Sequence, residues 1–226
     1  MKFCVATLYS PDCSALAAVS NPNKRQYCSR HGYDLKLKTD GFDSRYSRFG
    51  WHYLAFERFR FFRECLNEFG LVLGCGADVL ITNPSLRLED IMEGRKPFVI
   101  AKDAIGFQTD VILVRRHPRS LELLDALLDS APAYINAPFV DQTAFADLYP
   151  RFADAVEAVP QRVLNSFDYG TLSAWHTVHP NYRLAVDADG NDGQWQPGDF
   201  IFHCPGLPMH SKVAVLKDHL KMIQVV

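Results

Sequence analysis

The chain has 226 residues, 48% of them apolar and 22% charged, with a formal net charge of −2. These values describe a globular protein with an ample core; they exclude disorder and give no electrostatic footing for nucleic-acid or membrane-surface binding. No apolar run approaches the roughly 20 residues that cross a bilayer, and Met1-Lys2 leads into FCVATLY without a signal-peptide pattern.

Phe3 to Leu8 is apolar and β-branched, the pattern of a buried strand ending in Thr7-Leu8-Tyr9-Ser10-Pro11. A helical region follows, expected to break near Ser20-Asn21-Pro22, restart with proline in its first turn and end at Gly32. Tyr33, Leu35 and Leu37 alternate with Asp34, Lys36 and Lys38, the period of a half-exposed strand, which gives a β-α-β opening. Lys38 to Gly50 is polar and reads as a surface loop. Trp51, Leu54, Ala55, Phe59, Phe62, Leu66 and Phe69 fall on one helical face closed by Gly70, with Arg58 beside it. That arginine can meet a phosphate or simply snorkel to solvent.

Leu71 to Pro84 (LVLGCGADVLITNP) is the centre of the chain: two apolar runs separated by glycines and one carboxylate, Asp78. A strand delivering an acid to a loosened sheet edge is where open α/β sheets place ligands. A short helical turn is expected at Leu86–Ile91, then strands at Phe98–Ala101 and Val111–Val114 flanking Lys102 to Asp110. A helix at Ser120–Leu128 follows, then another from Asp141-Gln142 through Tyr149, and a strand at Val156–Val159. Gln161 to Trp195 is rich in aromatics and lacks periodicity. Phe200 to Cys204 reads as a last strand, and Ser211 to Lys221 as a closing helix. Without repeats or linkers, residues 1–226 read as one α/β domain with a mixed sheet.

His203-Cys204-Pro205-Gly206 places an imidazole and a glycine turn at a strand end, with Lys212 six residues on, a pattern suited to an anion or to a satisfied core histidine. Asp187 to Gly193 departs from a calcium loop at its sixth and twelfth positions and reads as a turn. The histidines lack zinc spacing, and no Walker or G-x-S-x-G sequence occurs. The six cysteines are scattered without a C-x-x-C pair, so reduced thiols and a cytoplasmic location are expected.

Several blocks recur in an order that resembles a known family. They are Asn23-Lys24 through Tyr27-Cys28 to His31-Gly32-Tyr33, the Trp51 helix, GADVLITNPSLRLEDI, KDAIGFQTDVILVRR, Asp141-Gln142, VPQRVLNSF and Gly198-Asp199-Phe200-Ile201-Phe202-His203-x-x-Gly206. The chain resembles retaining glycosyltransferases of the galactosyl-, mannosyl- and xylosyltransferase family, which includes yeast Golgi and plant xyloglucan enzymes. It is also similar to compact viral and bacterial glycosyltransferase domains. The resemblance implies a GT-A fold with a mixed, mostly parallel sheet, a nucleotide-diphosphate sugar donor (UDP-sugar favoured), a glycan or other hydroxyl acceptor, and Mn2+ or Mg2+.

Carried over residue by residue, it makes Asp78 the second acid of a D-x-D motif and His203 its partner as metal ligands. The first acid falls on Gly76, which leaves metal independence open. Thr7, Leu8, Tyr9, Arg58, Gly76, Ala77, Asp78, Gln108, Gly206 and Lys212 are expected around the nucleotide and diphosphate. Asp141, Gln142 and Asp103 are expected at the reacting sugar. The family's N-S-G or N-T-G turn is replaced by Gln108-Thr109-Asp110, a second departure. Tyr169, Trp175, His176 and Trp195 form a candidate acceptor platform by ring stacking, or a loop packed by its own aromatics. The alternative to an enzyme is a non-catalytic sugar-nucleotide or glycan-binding module with a degenerate D-x-D. Glycosylation of modified bases in DNA is disfavoured by the negative charge.

Overall fold

The computed structural model describes residues 2–43, 52–103, 106–170 and 193–223. A six-stranded sheet runs in the order β2-β1-β3-β6-β5-β7. Its strands are β1 (Phe3–Leu8), β2 (Asp34–Lys38), β3 (Leu71–Cys75), β5 (Phe98–Lys102), β6 (Phe107–Arg115) and β7 (Val156–Pro160). β1 pairs in parallel with β2 and β3, and β5 with β7, while β6 runs antiparallel to both of its neighbours. A small second sheet joins β4 (Val79–Ile81), β9 (Ile201–His203) and β8 (Ser166–Phe167).

Both faces of the large sheet are covered, and the two-residue period of its strands sorts their side chains accordingly. Cys4, Ala6, Leu8, Val72, Ile112 and Val114 pack under α2 (His52–Cys65), α4 (Pro118–Tyr134) and α5 (Asp141–Phe152). Val5, Leu71, Leu73, Val111 and Leu113 face the other way, toward α1 (Ser14–His31), α3 (Leu88–Met92) and α6 (Gln161–Leu164). The closing helix α7 (Met209–Ile223) packs on α1 and the small sheet around Leu16, Phe202 and Leu216. This is the expected mixed α/β architecture.

Four elements depart from the sequence reading. First, α1 runs unbroken through Pro22. Proline forfeits one helical hydrogen bond, but the side-chain amide of Asn23 donates to Ile81 O at 2.9 Å and accepts from Ile81 N at 2.8 Å, clamping this turn to β4. Second, α2 ends at Cys65, and turns carry the chain to Phe69. Third, β6 starts at Phe107, so Lys102 to Asp110 is mostly hairpin; Asp103 and Gly106 exchange backbone hydrogen bonds of 2.8 and 3.2 Å. Fourth, α4 extends to Tyr134 with Pro132 inside. Gly32 caps α1 as expected, at φ 71° with its N–H on Cys28 O.

Candidate active site

The chain leaves the large sheet at Cys75 and enters the small one at Val79, so Gly76-Ala77-Asp78 bridges the two. A cleft of about 340 Å³ opens there. Leu8 and Tyr9 at the end of β1, Arg58 on α2, Gly76 to Asp78, Asp141-Gln142, the Pro205-Gly206 turn and Lys212 on α7 all line it. Segments spread over two hundred residues of sequence therefore meet at one sheet edge, and ten of the residues expected around a nucleotide sugar are among its walls.

One wall carries Asp78; His203 does not line the cleft but lies buried behind that carboxylate. β4 and β9 pair so that Val79 stands opposite His203, and Cys204 N donates to Asp78 O at 3.0 Å, which holds the two groups beside each other. Lys212 Nζ donates to Asp78 Oδ2 at 2.5 Å. Burial by itself would raise the Asp78 carboxyl; the Lys212 ammonium, and after it the nearby His203 ring, outweigh burial and hold it well below the usual carboxylate range. Burial would likewise lower Lys212, but Asp78 raises it.

His203 is fully buried, with Phe167 edge-on to its ring. Its Nδ1 meets Asn165 Oδ1 at 2.8 Å. That contact occupies Nδ1 and leaves Nε2 as the ring nitrogen that faces the carboxylates. Nε2 has no hydrogen-bond partner and lies 3.6 Å from Asp78 Oδ1 and 3.7 Å from Asp110 Oδ2. Among the described residues, no three histidine, cysteine or carboxylate side chains close on one point as a finished metal site would.

The opposite wall is built on Asp141. It opens α5 directly after Phe139 and Val140, whose φ values of 58° and 43° are in the left-handed region that β-branched residues avoid. The Asp141 carboxylate is buried, and its Oδ2 accepts from Arg58 at 2.8 Å and from Thr109 Oγ1 at 2.6 Å. Arg58 also donates to Asp110, so one guanidinium from α2 ties two carboxylates together.

The remaining expected residues are placed as follows. Asp103 and Gln108 are buried behind the cleft: Gln108 donates to Asp103 Oδ2 at 3.1 Å and accepts from Gln142 at 3.0 Å, a relay that orients Gln142. Thr7 is fully buried with its hydroxyl 3.4 Å from Cys75 Sγ, so only Leu8 and Tyr9 of that trio reach the cleft. Trp195 is half-buried. Its ring packs edge-on to Phe202 and His219, and its N–H donates to Thr82 Oγ1 at 3.2 Å. Tyr169 is spent on Gln161 and on Gly193 N. Trp51, Trp175, His176, Tyr182 and residues 187–192 lie outside the described residues.

Sequence reasoning did not pick out Ser10, Cys13, Phe139 or Met209 as site residues, yet all four line the cleft. Nor did it single out Lys24, fully buried with its ammonium on Gly76 O at 2.7 Å. Burial lowers that lysine from its ordinary value. Its neighbourhood in a family block was the available signal.

Residues 88–212, from the start of α3 to Lys212, match the galactosyl transferase GMA12/MNN10 family. The chain belongs to that family. As a GMA12/MNN10-family member it is a glycosyltransferase, and its architecture is the GT-A fold. Among solved structures it is similar to a glycosyltransferase involved in glycosylation of the major capsid of PBCV-1, at TM-score 0.70 and 15% identity over 96% of this chain and 100% of that one. It is similar to GlyE of Streptococcus pneumoniae TIGR4, at TM-score 0.55 and 14% identity over 99% of this chain, which spans 64% of GlyE. It is also similar to mouse xyloside xylosyltransferase 1, at TM-score 0.57 and 10% identity over 92% of this chain and 100% of that one. None of the curated protein sequences searched matches the chain significantly. Among the described residues no helix is long and apolar enough to cross a membrane.

Proposed function

We propose that this glycosyltransferase moves a sugar from a nucleotide-diphosphate donor, UDP-sugar in the first instance, to a hydroxyl of a glycan or small acceptor, with retention and with Mn2+. The observation that carries the reading is the meeting in one cleft of the Lys212–Asp78 ion pair, backed by the buried His203, with the Asp141 carboxylate and the Gln142 amide. The first group suits the departing diphosphate and the second the sugar carbon that becomes cationic.

The metal fits on one feature, the buried and unpartnered His203 Nε2 facing carboxylate oxygens. Its other nitrogen is held by Asn165, the arrangement that orients ligating histidines. Asp78 and His203 would hold the ion, which supplies positive charge to diphosphate oxygens.

In the reaction, the C1–O bond to the diphosphate breaks with its electron pair leaving on the phosphate oxygen. Lys212 and the backbone of the Gly206 turn receive that charge. The acceptor oxygen bonds to C1 on the same face, and its proton passes to the departing phosphate oxygen. Asp141 stabilises the positive charge at C1, or attacks it to form a short-lived glycosyl ester; Arg58 and Thr109 fix its carboxylate either way. The free cysteines accord with the cytoplasm as the proposed compartment.

Asp141→Asn tests the assignment. Turnover should fall at least about a hundredfold, since electrostatic groups of this kind contribute roughly that much or more, while UDP affinity by calorimetry changes little. A large loss of UDP affinity would place Asp141 at the nucleotide instead. A non-catalytic binding module would bind the donor and leave it intact in both proteins.

A further inference from the structure

The two departures from the family pattern, glycine at 76 and aspartate at 110, lie against each other. β3 and β6 are antiparallel with Cys75 opposite Val111, so the next residues out are Gly76 and Asp110, and Gly76 N donates to Asp110 O at 3.1 Å. Cross-strand partners in such a pair project to the same face with β-carbons about 5 Å apart. A β-carbon built on Gly76 would lie 3.8 Å from Asp110 Oδ1 and 2.6 Å from Asp78 Oδ1. A side chain at position 76 would therefore start within contact distance of the Asp110 carboxylate, on the face that carboxylate serves.

We infer that Asp110 supplies the carboxylate that the D-x-D segment lacks, as a ligand to a divalent cation together with Asp78 and His203. The inference rests on the metal-assisted reading proposed above. Each carboxylate is held by its outer oxygen, Asp78 Oδ2 by Lys212 and Asp110 Oδ1 by Arg58. Their other oxygens are the ones near the unpartnered, fully buried His203 Nε2, at 3.6 and 3.7 Å. On an octahedral ion with bonds of about 2.1 Å, neighbouring donors stand roughly 3 Å apart and opposite ones roughly 4 Å. The three groups thus approach one centre without closing on it. The acid has moved from one strand to its neighbour while the face it serves is unchanged.

Mn2+ binding, followed by electron paramagnetic resonance with and without UDP, separates this inference from the reading beneath it. Asp110→Asn should weaken Mn2+ affinity about tenfold or more, the scale on which even groups supporting a metal ligand act. The exchange Gly76→Asp/Asp110→Ser should recover most of that loss; Asp78, at the end of a rotatable side chain, can yield to the new β-carbon. Recovery supports ligation, because a purely structural role through Arg58 would not be rescued from position 76. Unchanged Mn2+ affinity in Asp110→Asn overturns the inference and leaves the metal reading standing. Failure of the wild-type protein to bind Mn2+ even with UDP overturns both.

Discussion

Arg58 shows how the two walls of the cleft are tied together. It bridges Asp110 and Asp141, and its side chain is 11% exposed against 7% for Asp141. Removing one member of a buried pair leaves the other charge uncompensated, at a cost of about 3–5 kcal/mol. Arg58→Met should therefore lower unfolding stability by about that much in urea melts; a change below about 1 kcal/mol would show that water already compensates Asp141. At this level much was legible in the sequence. Asp78, Asp141 and Gln142 sit in ordered family blocks, Lys212 follows six residues after the last of them, and all four line the cleft. Asp110 was visible only as a misfit in a turn, because its relation to Gly76 is a strand register, which linear spacing does not contain. Thr7, buried away from the cleft, shows a related limit: residue type marks a side chain as capable of contact but does not say which face it takes.

Among the elements, β3 is fixed to α2 by a glycine with no catalytic task. A β-carbon on Gly74 would meet the fully buried Phe62 ring at 2.5 Å. Gly74→Ala should cost about 1–3 kcal/mol of stability by overpacking, read by chemical denaturation; an unchanged midpoint would mean that α2 shifts freely. α7 carries a second device. His219 stacks on Phe202 with ring centroids 3.6 Å apart and its Nδ1–H on Val215 O, and burial lowers it below its ordinary value of 6.5. The native ring resists the proton that the unfolded chain takes up near pH 6.5, so its stabilising effect is complete above that pH and is lost as pH falls toward the lower native value. Stability should thus decline on acidification from pH 7.5, and His219→Phe should flatten the decline; equal slopes would contradict the assignment. Periodicity found most elements because apolar residues recur at 2 or 3.6. It failed at Pro22, where local chemistry predicts a break and the Asn23 clamp on β4 holds the helix together.

Across the whole molecule, the cleft exists because two sheets share one crossing point. The large sheet presents the ends of β1 and β3, the small sheet brings His203 from the far end of the chain, and α7 closes over both with Lys212. Order and spacing of the motifs identified the family, whereas the division into two sheets was not legible, since two apolar runs a few residues apart do not show which sheet each one joins. The central claim is that this cleft transfers sugar. Proton NMR of the purified protein with Mn2+, a panel of UDP-sugars and simple hydroxyl acceptors tests it most directly through the anomeric signals. The account predicts that one donor disappears as an α-linked product appears, and that Asp141→Asn leaves the donor signal in place. A donor that binds but persists unchanged with every acceptor and with water would contradict it.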